Sequence, residues 1–426
     1  MKKAYINGFI LDGTENMTPV KGIIITENGR IACVLPEDAD ISGCEKIDLG
    51  GKYIMPGLIN LHIHLPAGGK PSNKQSDTRK LVKLVTSNAF TRKIAYLLCA
   101  GSVKTQLMSG VTTVRTVGGI LNIDSRIRDD VNSGKTVGPR ILAADMAVSV
   151  PGGHMAGSLA YEATSAEEAA EYVEKIAESK PDLIKLMITG GVLDATEMGE
   201  PGVLKMPPEY VKAACDKAHS LGLMVASHVE SPEGVRVALE NGVDTIEHGA
   251  MPDEDIIRLF KEKGASHIAT LSPAMPYALF DREVSHITEM EKFNGDVVFK
   301  GIIECAKACL ANGIPVGLGT DTGCPYITHY NMWREVYYFH KLCGVSTAFA
   351  LHTATLKNAQ IVGIDKETGS IEKGKSADFV ITEKNPLDDL EALRNISAVV
   401  FKGKYISEPK VKKMAAVEAE LDKLKF

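Results

Sequence analysis

Ile54-Met55-Pro56-Gly57-Leu58-Ile59-Asn60-Leu61-His62-Ile63-His64 is the stretch on which the reading of this chain turns. An apolar run breaks at Pro56-Gly57, resumes with strand character and ends in His-x-His. Residues i and i+2 of a strand share a face, so His62 and His64 project side by side. Two neutral imidazoles so placed can hold one divalent metal ion. A pair of buried, hydrogen-bonded histidines is the other reading this dipeptide leaves open.

Working outward, the segments after Gly57 alternate between strand and helix. Strand-like runs at 111–117, 140–148, 183–189, 223–230, 245–249, 267–272 and 315–322 are separated by helical stretches, among them 78–109, 165–180, 208–221, 232–241, 253–263 and 296–312. With the His-x-His strand these make eight. The expected fold is therefore α/β, a (β/α)8 TIM barrel. Before it, short strands at 4–10, 22–27, 30–34 and 45–49, with Asn28-Gly29 as a hairpin signal, form a small β module. After a helix at 346–361 the β pattern returns at 369–381, 396–402 and 404–406, followed by a charged helix at about 408–425. The expected organisation is 1–56 and 362–426 as two parts of one β-sandwich built from both chain ends, with 57–361 as the barrel.

Composition excludes several classes of function. The 426 residues are 44% hydrophobic and 24% charged, as in an ordinary globular enzyme, and the net charge of −6 offers nucleic acid no electrostatic attraction. No apolar run is long enough to span a bilayer, so no membrane partner is expected. The start, Met1-Lys2-Lys3-Ala4-Tyr5-Ile6, is interrupted by Asn7-Gly8 and Asp12 and does not read as a signal peptide. Eight cysteines include no Cys-x-x-Cys; Cys305 and Cys309 share a helix face, and packed, reduced thiols of a cytoplasmic protein are expected.

Four more residues fall at ends of expected barrel strands, where such barrels keep their chemistry. Lys185 lies inside the apolar run Leu183-Ile184-Lys185-Leu186-Met187. A buried lysine is costly unless its charge is paired or removed, and a neutral amine can take up CO2 as a carbamate. His228 ends Met224-Val225-Ala226-Ser227-His228, His248 ends Thr245-Ile246-Glu247-His248, and Asp321 closes Gly317-Leu318-Gly319-Thr320-Asp321. Each alone has an ordinary structural reading; their order along strands one, four, five, six and eight points to one centre. The expected arrangement is binuclear. His62, His64 and Asp321 hold one divalent ion, His228 and His248 the other, and N6-carboxylated Lys185 bridges the two with a hydroxide.

These residues resemble the amidohydrolase superfamily over nearly the whole chain. The resemblance rests on Pro56-Gly57-Leu58-Ile59-Asn60-Leu61-His62-Ile63-His64, Gly319-Thr320-Asp321, Ala354-Thr355-Leu356-Lys357-Asn358-Ala359 and Gly374-Lys375-Ser376-Ala377-Asp378. Gly110-Val111-Thr112-Thr113-Val114-Arg115, Pro151-Gly152-Gly153-His154, Ile184-Lys185-Leu186-Met187-Ile188-Thr189-Gly190-Gly191-Val192 and Gly242-Val243-Asp244-Thr245-Ile246-Glu247-His248-Gly249 are similar to its prolidase-like branch, which includes Xaa-Arg/Lys dipeptidases and ochratoxinase-type amidases. Two departures bear on substrate rather than chemistry. Thr116 stands where many members have Asp, and Glu230 shares a face with His228 where relatives often carry a second histidine.

The resemblance implies hydrolysis of a carboxamide C–N bond, in a dipeptide or N-acyl amino acid, with two divalent ions, zinc first among the candidates. Asp321 is the expected proton carrier. His154, in a Gly-Gly-His loop, is a candidate for substrate contact or oxyanion support, Tyr277 is a second catalytic candidate, and Glu230 is a candidate substrate contact. The family also makes a homo-oligomer the expected assembly. The competing readings are a deaminase or cyclic-amide hydrolase of the same superfamily, and a non-catalytic relative. Deaminases usually place Glu three residues after the strand-five His; here that position is Ser231. A non-catalytic relative would be expected to have lost ligands, and all six positions are intact. The loops 65–80, 151–165, 192–207 and 273–295 decide what enters and are the least readable segments.

Overall fold

A computed structural model describes residues 2–71 and 77–426; residues 72–76, within the expected entrance loop 65–80, lie outside the described residues, as does Met1. The barrel strands are short and buried on both faces, as parallel strands wrapped by helices must be. Every residue of Leu58–Ile63, Val111–Thr116 and Leu183–Met187 is buried, charged side chains included.

Two parallel sheets make up the wall. Leu58–Ile63, Val111–Thr116 and Arg140–Leu142 form one; Ala160–Glu162, Ala147–Ser149, Leu183–Met187, Met224–Val229, Thr245–His248, Ser266–Ala269 and Val316–Leu318 form the other. The expected third strand, 140–148, is thus split between them. Asp145 causes the break: it adopts φ 59°, its carboxylate accepts from Ser125 N at 2.9 Å and Ser179 Oγ at 2.6 Å, and its carbonyl accepts from Gly119 N at 2.7 Å.

The opposite seam, between strands one and eight, closes through the main chain. Asp321 N donates to His62 O at 2.8 Å, and His64 N donates to Thr322 O at 2.9 Å. Asn358 staples the same seam from outside, donating through Nδ2 to Ile59 O and Leu318 O at 2.8 and 2.9 Å while its Oδ1 accepts from Leu318 N at 2.9 Å. Gly319 is required here, since a Cβ would lie 2.5 Å from His62 Cβ.

Both chain ends meet in a single eight-stranded sheet beside the barrel. Tyr53–Pro56 pairs antiparallel with Phe379–Thr382, joining Lys2–Ile10, Val20–Glu27, Arg30–Leu35 and Glu45–Asp48 to Ala398–Phe401 and Lys404–Ser407. Tyr5, Ile24, Ile54, Phe379 and Val400 build its core.

The helices differ in detail from the periodicity. The stretch 78–109 is two helices, Thr78–Thr86 and Ala89–Met108, because Asn88 caps the second with bonds to Phe90 N and Thr91 N. The helix expected at 346–361 contains a π turn at Thr353–Lys357. Strand seven runs almost directly into the helix Leu271–Leu279, so Tyr277 sits on a helix; Pro273 and Pro276 hide it from a sequence reading. The terminal helix is confined to Ala415–Leu421. Among the described residues no helix is long and apolar enough to cross a membrane.

Candidate metal centre

Strand ends one, four, five, six and eight deliver His62, His64, Lys185, His228, His248 and Asp321 to the wall of one cavity of about 300 Å3. Asp321 Oδ1 lies 3.4 Å from His62 Nε2 and 3.2 Å from His64 Nε2. The His248 ring is 5.0 Å from that of His62 and 4.6 Å from that of His228, centroid to centroid. His248 and Asp321 both adopt positive φ, 67° and 51°. Non-glycine residues in that region carry strain of order 1–3 kcal/mol, tolerated where the surroundings fix the side chain.

Hydrogen bonds to neighbouring strands and loops set each imidazole. His62 Nδ1–H donates to Glu247 Oε2 at 2.7 Å, which leaves Nε2 as the acceptor facing Asp321. Both Glu247 oxygens accept from Arg115 NH2, and Arg115 Nε also donates to Leu61 O at 2.6 Å. His64 Nδ1–H donates to Gly118 O at 2.8 Å, His228 Nε2–H to Gly190 O at 3.3 Å, and His248 Nδ1 pairs with the Thr270 hydroxyl at 2.7 Å. With Nδ1–H committed, His62 and His64 keep a lone pair on Nε2, and with Nε2–H committed His228 keeps one on Nδ1, as metal ligation requires; a Nδ1–H donated to Thr270 leaves the same on His248 Nε2.

The electrostatics agree. Burial holds His62 and His228 well below the ordinary histidine range, and His248 down at about 3, so all three are neutral. Burial would raise Asp321, but His62, His64 and His248 outweigh it and hold the carboxyl well below its usual value. Lys185 is pulled down to about 8 by burial, against the opposing pull of Glu247 and Asp321. Its Nζ is fully buried with no hydrogen-bond partner. Neutral imidazoles, an ionised carboxylate and an orphaned amine fit a divalent-ion site.

His154 stacks on His228, centroids 4.1 Å apart and planes within 8°, and its Nδ1 donates to Asp194 Oδ2 at 2.5 Å. Asp194 Oδ2 also accepts from Gly191 N at 3.0 Å. Glu230 reaches the same cavity; burial, with Asp321 and Asp194 adding, pushes its carboxyl up to about 8. Tyr277 lines the same cavity, as do apolar residues that include Leu159, Val192 and Ile302.

Sequence reading missed Asp194, Glu247 and Thr270 as partners of the site. Glu247 had a detectable signal, an acid inside a barrel strand one residue before a candidate ligand. Asp194 had none, because only the Gly191–Asp194 turn brings it back to His154.

Four further histidines have structural partners: His219 with Asp244, His329 with Ala67 O, His340 with Val345 O and His352 with Gly13 O. His267 donates to His248 O at 2.8 Å and, outside the barrel wall, lies close to Cys305 and Cys309, whose ligand atoms are all within 4.8 Å of one another.

A fold and a site of this kind define a metal-dependent hydrolase. The profile of the Amidohydrolase family matches residues 53–406, and the chain belongs to that family. Its sequence is 25% identical over 377 residues to the ochratoxinase of Aspergillus niger, covering 82% of this chain and 74% of that protein. It is likewise 25% identical over 377 residues to the imidazolonepropionase of Pseudomonas putida, covering 84% and 86%. Among solved structures, one described as a prolidase from Bifidobacterium longum superposes with a TM-score of 0.87 at 35% identity over 99% of this chain and 98% of that one. A Xaa-Pro dipeptidase with bound methionine in its active site gives 0.83 at 26% identity, over 96% and 100%.

Proposed function

We propose that this metal-dependent hydrolase cleaves a carboxamide C–N bond, in a small substrate such as a dipeptide or N-acyl amino acid, using two divalent ions. The observation carrying this reading is the orphaned Lys185 amine among four histidines and Asp321, a group whose burial is explained once it becomes an anionic carbamate between cations. His62, His64 and Asp321 would hold one ion, His228 and His248 the other, with carboxylated Lys185 between them. Zinc suits imidazole and carboxylate donors of this kind. Bound there, the ions would act as Lewis acids on the substrate carbonyl and acidify a water molecule.

The chain's own groups then have distinct tasks. Asp321 is held ionised and is placed to accept a proton and return it to the leaving nitrogen. His154, fixed by Asp194, presents its Nε2 side to the cavity, where it supports the carbonyl oxygen as charge develops on it. Tyr277 lines the same cavity and is a second candidate for substrate contact. The relatives described as prolidase, dipeptidase and ochratoxinase support an amide substrate rather than an aminopurine or pyrimidine to be deaminated. A cytoplasmic homo-oligomer is the assembly we infer.

The test is a panel of dipeptides, N-acyl amino acids and aminopurines assayed with metal-replete protein, alongside elemental analysis. Amide cleavage with two equivalents of metal per chain supports the proposal. Ammonia release from aminopurines with inert amides overturns it.

A further inference from the structure

We infer that Glu230 is a third protein ligand of the second ion, which gives that ion a His228, Glu230 and His248 set in addition to any lysine carbamate. This inference rests on the two-ion reading above. It concerns the position where the strand-five pattern of relatives often continues with a second imidazole.

Glu230 lies two residues beyond His228, on the same face of the strand Met224–Val229 as it ends. Donor atoms of His228, Glu230 and His248 all fall within 4.8 Å of one another, as do those of His62, His248 and Asp321. The two triads therefore share His248 and lie side by side. Two histidines and one glutamate are an established donor set for zinc, and two histidines with a carboxylate suit iron as well.

The surroundings hold Glu230 in that place: the Val192 backbone N–H donates to its carboxylate, and Oε2 is left without a partner. Its backbone N donates to Thr189 Oγ1 at 3.1 Å. Gly202 presses against its main chain, where a Cβ would come within 2.3 Å of the Glu230 carbonyl carbon. Gly191 leaves space beside the carboxylate, 3.5 Å from Oε2 to a Cβ built there. Oε2 is buried and accepts no hydrogen bond. The nearby charged groups facing it are Asp321 and Asp194, both acids, so the carboxylate lacks a cation of its own.

A substrate ammonium is the other cation that could sit there. It would have to lie within hydrogen-bonding distance of an oxygen that is itself beside two metal-binding imidazoles. The ammonium would then add to the charge of the second ion in one low-dielectric corner, which repels it. The carboxylate as a ligand instead offsets part of the charge of the two ions.

The experiment measures zinc binding rather than turnover. Wild type, Glu230→Gln, Glu230→His and His228→Asn are stripped with chelator, reloaded with zinc alone, dialysed and analysed by elemental emission, with affinities from competition against a coloured chelator. Two equivalents in wild type, with the weaker site of Glu230→Gln losing affinity about 10-fold or more and Glu230→His recovering it, is the expected result. Retention of one tight ion in Glu230→Gln shows that the variant is folded. Two equivalents in Glu230→Gln with unchanged affinity and a raised KM overturns the ligand role in favour of substrate contact. One equivalent in wild type, unaffected by His228→Asn, overturns the two-ion reading and this inference together.

Discussion

His62 and Glu247 are joined across 2.7 Å, Nδ1–H to Oε2, and the same carboxylate carries the guanidinium of Arg115 at 2.7 and 2.8 Å. All three side chains are buried. One carboxylate thus orients a candidate ligand on strand one and neutralises a charge on strand two. Replacing it with Gln leaves Arg115 buried and unpaired, which costs about 3–5 kcal/mol. It also frees the His62 ring, and loss of such an outer partner lowers metal affinity about 10–100-fold. Glu247→Gln is expected to show both effects in denaturant unfolding and zinc competition; a variant with unchanged zinc affinity would mean that Glu247 serves stability alone.

Lys185 makes the metal-free protein's stability depend on pH. Its amine is lowered to about 8 when folded and returns to the ordinary lysine value of about 10.4 when unfolded. The unfolded chain therefore binds more protons between those values, and this contribution to stability rises with pH. It is fully present above about 10.4 and is lost as pH falls through about 8. Buried Glu230 and Glu335, both raised to about 8, run the opposite way, losing stability as pH rises through that value. The informative quantity is thus the difference between wild type and Lys185→Met, measured by thermal unfolding from pH 7 to 10.5. A difference that does not change across this range would show that the amine is not desolvated.

Removing the lysine should also impair catalysis. Lys185→Ala is expected to cut hydrolysis severely, with partial recovery on adding bicarbonate plus a short-chain carboxylic acid, which can occupy the carbamate's place. Undiminished turnover in this variant would eliminate the bridging role.

Asp321→Asn keeps the shape of the side chain and removes its basicity. We expect metal to remain bound and turnover to drop about 10²–10⁴-fold, the usual contribution of a positioned acid–base group. Rates near wild type at neutral pH would transfer the proton to another carrier.

The stacked pair His154 and Asp194 is separable from the metal ligands. His154→Ala should lower kcat more than it raises KM, with metal content unchanged. Asp194→Asn should give a smaller loss and an altered pH profile, because the imidazole loses its anionic partner. Equal losses of metal in both variants would instead mark the pair as structural support for His228, on which His154 stacks.

What could be read in advance was whatever local periodicity controls. The spacing of His62 and His64, the apolar runs around Lys185 and His228, and the alternation of strand with helix all follow from short-range rules. Asp145 and Asp194 escaped because their effects are tertiary. The first breaks a strand by gathering Ser125, Ser179 and Gly119 from other segments, and the second returns to His154 through a tight turn. Sequence alone places Tyr277 in the loop 273–295, because two prolines mask a helix whose N-terminal N–H groups at Leu271 and Ser272 are satisfied by the distant Glu335. The terminal strands were legible one by one, whereas their union in a single sheet depends on Met55 facing Val380.

The barrel's last seam, where Asp321 N meets His62 O, has a consequence for how the protein matures. The first donors to leave the ribosome wait for a strand some 250 residues later, so a nascent chain holds most of a reactive centre it cannot yet use. Asp321 joins the imidazoles of strand one only when the cylinder shuts, so the centre is completed by the last closure of the barrel.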